Sequence, residues 1–386
     1  MRFHVVSLPH TQTTLEYTSC AFTEKVRRFA MMMKMLHHTV YLYSGEFNTV
    51  QEVDEHISCI TDTIREDSLH GAHYTQGSFD SSLPHWIHFN QNVIQEMTKR
   101  LFPKDFICLI GGCSQKPIAD AFPNHLTVEF GIGYPGTFAK YRVFESYAWM
   151  HSIYAQHRSA SAVDGNFFDT VIPGYLEPAM FPLQEIKEDY YLFIGRLIDR
   201  KGYRIAQEVC QRLGKRLILA GAGDQKGYGE FVGVVGPEER AKLYGGAIAT
   251  FVPTLYIEPF GNVVIESHMC GTPTITTDWG AFVETNLNNV TGFRCRTLNE
   301  FMKAALDCRR LEPSRIRETA VNRYSLDAIA PRYHEYFKRL ETVWDKGWYQ
   351  EDQEDQEDIK INDENAILKN ESTHTNKNIE SIESIE

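Results

Sequence analysis

No pair of cysteines in this 386-residue chain stands at C-x-x-C spacing, and none of its eight cysteines sits in a Cys/His cluster spaced to hold zinc. Their scatter argues against a disulfide framework and predicts reduced thiols in a cytoplasmic compartment. No run of eighteen apolar residues occurs, and the opening MRFHVVSLPH is too short and too polar for a signal peptide. A soluble chain, at most peripheral to a membrane, is therefore expected. The segment after the first strand reads SLPHTQTT, not G-x-G-x-x-G, which argues against a nicotinamide-dinucleotide fingerprint there.

Charge is scarce where a nucleic-acid binder would need it. The net charge is −12, but the residues from Glu351 onward hold twelve acidic and three basic side chains, so nine of those charges lie in the tail and the first 350 residues carry −3. A near-neutral body offers no basic field, and no nucleic-acid partner is expected. The tail, 351–386, is repetitive, acidic and free of aromatic residues, and is expected to be disordered.

What is present is an α/β pattern run twice. RFHVVSL, HTVYLYSGE, DFICLIGG and LTVEFGIGY read as strands, with a helix over 20–38 and another over AKYRVFESYAWMHSIYAQH. The pattern restarts at YYLFIGRL and continues through RLILAGAG, FVGVVGP, GGAIATFVPT, TPTITTD and GFRCR, with helices over 203–213, 237–245 and VVIESHMC, 263–270. Two doubly wound, Rossmann-like α/β domains facing each other follow, over 1–178 and 190–325, with a helix at 326–348 crossing back to the first. In the helix near residue 30, EKVRRFAMMMKMLHH joins cations to methionines. Packing in the core is the favoured reading, with contact to an anionic membrane as the alternative.

Motifs gather at the expected carboxyl ends of the second series of strands, where open α/β sheets bind ligands. FIGRLIDRKG brings Gly195, Arg196 and Lys201; LAGAGD brings Gly221 and Gly223; VVGP brings Gly236. EPFGNVVIESHMCGTP places Glu258 before a bend and Glu266 on a helix whose expected cap is Asn262, with a C′ glycine at Gly271. A helix start with unpaired amides suits a phosphate, and the two carboxylates suit sugar hydroxyls.

In these motifs, from VIPGYLEP to RYSLDAIAPRYHEYF, the chain resembles the retaining glycosyltransferases of family 4, which have the GT-B fold. The resemblance implies Glu258 beside the transferred sugar and Glu266 beside the nucleotide ribose. It implies Arg196 and Lys201 on the diphosphate, and the backbone amides of Phe260, Gly261, Asn262 and Val263 on sugar and phosphate oxygens. The first half resembles the family in layout alone: SLPHTQTT replaces its glycine-rich loop, and EFGIGYPGTF stands where its histidine is usual. His10, Thr11 and Tyr134 are the acceptor-side candidates. The implied activity is retaining transfer of a hexose-type sugar from a nucleotide-diphosphate sugar to a glycan, lipid or small-molecule hydroxyl. The alternatives are a sugar-nucleotide epimerase of the same architecture and a silent sugar-binding protein. Asp-x-Asp, the pair that holds a divalent cation in glycosyltransferases of the other common fold, is absent. No metal or other cofactor is expected, since Arg196, Lys201 and a helix start would carry the diphosphate charge.

Overall fold

Short apolar segments such as FICL, LILA and TFV have no polar alternation, as strands buried on both faces require. The computed structural model describes residues 1–51, 53–156 and 164–345 and arranges such segments in two sheets. The first holds β1 (Arg2–Val6), β2 (Thr39–Gly45), β3 (Glu55–Ile60), β4 (Phe106–Leu109), β5 (Thr127–Ile132), β6 (Tyr141–Phe144) and β7 (Thr170–Val171). The second holds β8 (Tyr191–Ile194), β9 (Leu217–Ala220), β10 (Glu230–Gly233), β11 (Thr250–Val252), β12 (Thr274–Thr277) and β13 (Gly292–Cys295). Among the described residues their orders are β3-β2-β1-β4-β5-β6-β7 and β10-β9-β8-β11-β12-β13, and the strands pair in parallel. This is a pair of Rossmann-like α/β domains. In both, the order reverses beside the first strand, and the ends of β1 and β8 are where such sheets leave a crevice.

The cores sit between these sheets and their helices. Leu192, Ile194, Ile218, Val264, Ile265 and Met269 pack on one face of the second sheet, and Phe193, Leu219, Val209, Phe251 and Phe301 on the other. In the first half Val6, Tyr43, Phe89, Val93 and Ile107 form one such layer. The helix Ala21–Met35 buries Met32 and Met33 completely, and its Arg27 and Arg28 pair with Glu24 and Glu177. Met32 and Met33 therefore lie in the protein core, while Met35 is exposed.

Three local expectations are corrected. The stretch expected as one helix from Ala139 is strand β6 followed by the helix Tyr147–Tyr154. Tyr-Arg-Val-Phe joins the sheet beside β5, and the Ser146 side chain accepts from the Trp149 amide to start the helix after it. Strand β3 was not anticipated, because EHISCI alternates weakly. The helix over Asn262–Met269 is capped by Gly261, not Asn262, with φ +86° in the left-handed region that glycine tolerates.

Residues Met1–His334 form one compact unit. At its end, Arg332 donates to the Val171 carbonyl at 2.8 Å and the Tyr333 ring meets Phe29 edge-on at 5.1 Å, so the chain has returned to the first sheet's helices. The helix Leu326–Glu341 continues past that unit. The expected tail, 351–386, and the end of the expected helix at 346–348 lie outside the described residues.

Candidate active site

Each element of the second half delivers its motif at a strand end. Gly195 and Arg196 follow β8, and a short helical turn, Asp199–Lys201, carries Lys201 toward the loop after β11. There Lys201 Nζ meets Glu258 Oε2 at 2.9 Å and lies over the Tyr256 ring, 5.0 Å from its centre. Burial opposes the lysine charge, but Glu258 and Tyr256 outweigh it, and the Lys201 pKa stands above that of an ordinary lysine. Arg196 is exposed, and among the described residues its guanidinium has no side-chain partner. An unpaired cation five residues before one already paired, in the segment after the same strand, is an arrangement suited to an incoming dianion.

Backbone geometry brings these ends together. The Gly195 amide donates to the Ala220 carbonyl at 2.9 Å, and Gly221, at φ +136°, passes so close that a Cβ there would fall 2.0 Å from the Gly195 oxygen. Gly223 follows on the same loop, against Leu197. Gly236 caps the helix Pro237–Gly246. The amides of Asn262 and Val263 open the helix after Gly261, where a helix has no internal acceptors for them. Phe260, at 2% exposure, instead anchors the bend in the core beside Tyr324. Its side chain is structural; its backbone is the part that remains at the helix start.

Glu266, on the helix expected to carry it, is 8% exposed, with Val264, Ile265 and His268 buried beside it. Its Oε2 accepts from the Tyr244 hydroxyl at 2.9 Å and lies 3.5 Å from Arg240 Nε. Glu266 leads the causes that raise the Arg240 pKa. A buried carboxylate held by a phenol and a guanidinium is a fixed acceptor, which is what recognition of a diol needs. Arg240 and Tyr244, missed in the sequence, stand four apart on their helix, so their shared face was the available signal.

The first-half candidates are not joined to this cluster by any contact among the described residues. Thr11 Oγ1 is fully buried and bonds Thr23 Oγ1 at 2.6 Å. The Tyr134 hydroxyl donates to Glu129 Oε1 at 3.2 Å, and Glu129 also accepts from the Phe138 and Ala139 amides at 2.8 Å. Both therefore fix loops. His10 lines a cavity of about 500 Å³ with His70 and His85, and burial, helped by His85, lowers its pKa to about 4.

The first half reaches the cluster through residues that the sequence did not single out. Ser146 Oγ donates to the Pro259 carbonyl at 2.6 Å, and the Tyr147 and Ala148 amides donate to Glu284. Glu145, just before them, bonds Lys25 Nζ at 2.7 Å. Among the described residues no three His, Cys, Asp or Glu side chains gather to hold a metal, and no helix is long and apolar enough to cross a membrane.

With this geometry established, three comparisons bear on the chain. Residues 181–305 match the family model described as glycosyl transferases group 1. Over 122 residues the chain is 32% identical to an uncharacterized glycosyltransferase of Methanocaldococcus jannaschii, covering 27% of this chain and 31% of that one. The match thus spans less than a third of the length of that curated relative. The sucrose-phosphate synthase of Thermosynechococcus elongatus superposes with a TM-score of 0.64 at 16% identity, covering 89% of this chain and 100% of that one. Anabaena HepE in complex with UDP-glucose superposes at 0.59 and 14% identity, covering 88% and 100%. At such identities the likeness establishes the fold, which is GT-B.

Proposed function

We propose that the chain transfers a hexose-type sugar from a nucleotide-diphosphate sugar to an acceptor hydroxyl with retention of configuration. The observation that carries this is the Lys201–Glu258 pair, 2.9 Å apart at the mouth of a glycine-capped helix, with Arg196 five residues before Lys201 and without a side-chain partner among the described residues. Lys201, Arg196 and the amides of Asn262 and Val263 bind the diphosphate and stabilise the charge it gains on leaving. Glu258 accepts from a sugar hydroxyl, and Glu266, held by Tyr244 and Arg240, accepts from the ribose. The bond from the anomeric carbon to the phosphate oxygen breaks while the acceptor oxygen bonds that carbon from the same face. The acceptor proton passes to the leaving phosphate oxygen. Protein cations replace a metal, so transfer persists in excess chelator.

The matched family model and the UDP-glucose complex of HepE support a sugar nucleotide as the first ligand to try. UDP-glucose, ADP-glucose and GDP-mannose are each tested for a rise in Tm, then for release of the nucleoside diphosphate. The product formed from the donor that binds is read by NMR for its anomeric configuration. An inverted product removes retention; no shift and no release with a broad panel removes the transferase function; loss of activity in chelator, restored by magnesium or manganese, removes the charge-replacement argument.

A further inference from the structure

The first half plants a buried ion pair near the loop that carries Glu258, and neither partner is required by the doubly wound plan. Glu145 follows β6 and is 4% exposed. Lys25 comes from the helix Ala21–Met35, and its Nζ bonds Glu145 Oε2 at 2.7 Å and the Gly131 carbonyl at 3.1 Å. Glycine lies on both sides of the carboxylate: a Cβ on Gly133 would fall 2.4 Å from Oε2, and one on Gly174 would fall 3.0 Å from Oε1. The same Gly133 Cβ would lie 3.4 Å from Pro259, the residue after Glu258, and Ser146 clamps that proline's carbonyl. Among the described residues Glu145 Oε1 has no hydrogen-bond partner. A carboxylate so placed carries a desolvation cost that one lysine offsets in part.

We propose that Glu145, held by Lys25, is an electrostatic positioning residue for sugar transfer, setting a second carboxylate, from the first half, beside the Glu258 sugar site. This rests on the glycosyltransfer reading above. In the ground state the two carboxylates repel each other. When the sugar becomes oxocarbenium-like, positive charge develops between the leaving phosphate and the acceptor, and the field of both carboxylates becomes favourable. The interaction is stronger in the transition state than in the bound donor, which is the condition for raising kcat without tightening KM. Burial pushes the Glu145 carboxyl above the usual range, Lys25 pulls it back, and Glu258 adds to the rise. Lys25 thus favours the ionised form against the burial that opposes it.

The test measures nucleoside diphosphate release from whichever of UDP-glucose, ADP-glucose and GDP-mannose the wild type turns over, so no acceptor need be known. Glu145→Gln is expected to lower kcat by about 10- to 100-fold with the donor KM changed by less than about threefold. Lys25→Met is expected to move the acid limb of the pH–rate profile to higher pH, because Glu145 then protonates more readily; Lys25→Arg restores it. A purely structural pair would not move that limb. If Glu145→Gln does not fold, the charge-neutral Lys25→Met/Glu145→Gln double variant takes its place with the same expected loss. A folded variant with kcat within twofold of wild type, or an unmoved acid limb in Lys25→Met, overturns the proposal. A wild type that neither binds nor turns over any donor of a broad nucleotide-sugar panel overturns the transferase reading itself, and this proposal with it.

Discussion

The two halves share one doubly wound plan and finish their strand ends by different means. In the second half the ends of β8 and β9 meet through backbone alone, with Gly221 packed where any Cβ would strike the Gly195 carbonyl. A helix then opens on Gly261 directly after Glu258. In the first half the corresponding loops are filled by side chains that bond one another: Thr11 to Thr23, Tyr134 to Glu129, Lys25 to Glu145. A phosphate demands close, unobstructed amides, so a donor site leaves glycines in fixed places. A surface for an acceptor has no such common demand, and its loops are held by whichever side-chain pairs fit.

The largest effect that would sharpen this contrast is on turnover. Arg196→Ala and Lys201→Ala should each cost roughly 2–4 kcal/mol in kcat/KM with the donor, since each removes a cation from a group that gains charge in the transition state. Because Arg196 is exposed and lacks a side-chain partner among the described residues, its replacement should leave Tm unchanged. Lys201→Ala should lower Tm as well, by stranding Glu258. Wild-type kcat/KM in a folded Arg196→Ala protein would take that residue out of the site. Next comes Gly221→Ala, which should destabilise by about 3 kcal/mol, because the new methyl meets backbone and the φ of +136° is strained for alanine. A denaturant midpoint within error of wild type would show that the β8 and β9 ends can move apart, and would weaken the claim that backbone fixes this side.

One effect should appear equally in both halves. His10 in the first and His268 in the second are held neutral by burial, with pKa values lowered to about 4 and about 3. A folded pKa below the unfolded value of about 6.5 gives stability that is present above pH 6.5 and lost as pH falls through the folded pKa. Between pH 7 and pH 5 each histidine should account for about 2 kcal/mol of lost stability. Denaturant titrations of His10→Gln and His268→Gln should show a shallower pH dependence than wild type; identical slopes would mean that the rings are solvated. Smallest of all, Tyr134→Phe should cost about 1 kcal/mol of stability, by removing one hydrogen bond to Glu129, and leave donor turnover intact. A large fall in transfer to an acceptor with donor hydrolysis unchanged would return Tyr134 to the acceptor side and break the contrast.

Much of the second half was legible because its chemistry is local. Arg196 and Lys201 lie five residues apart in one loop, and Glu258 shares its segment with Gly261 and the helix it opens. Even there the helix cap was misplaced by one residue, since a left-handed glycine and a capping asparagine satisfy the same helix start and differ only in φ. Glu266 was placed on the right helix, but its burial was invisible, because Tyr244 and Arg240 reach it from a different helix. In the first half, β6 reads as helix along the chain because Tyr-Arg-Val-Phe runs straight into a true helix, and only pairing with β5 and β7 makes it a strand.

The order of apolar runs and turn residues was enough to set two parallel α/β domains, because burial on both faces and glycine at tight bends are demands each segment meets by itself. It was also enough to mark the cations and carboxylates that share a loop. Which distant side chains meet was decided by the fold. Lys25 and Glu145 are separated by 120 positions and stand at 2.7 Å, on an element read as a core helix and at the end of a strand read as something else. An ion pair requires placement to within an ångström, and no pattern along the chain carries that distance; the packing of the helix Ala21–Met35 on β5, where Phe29 stacks on Phe130 and Lys25 reaches the Gly131 carbonyl, supplies it.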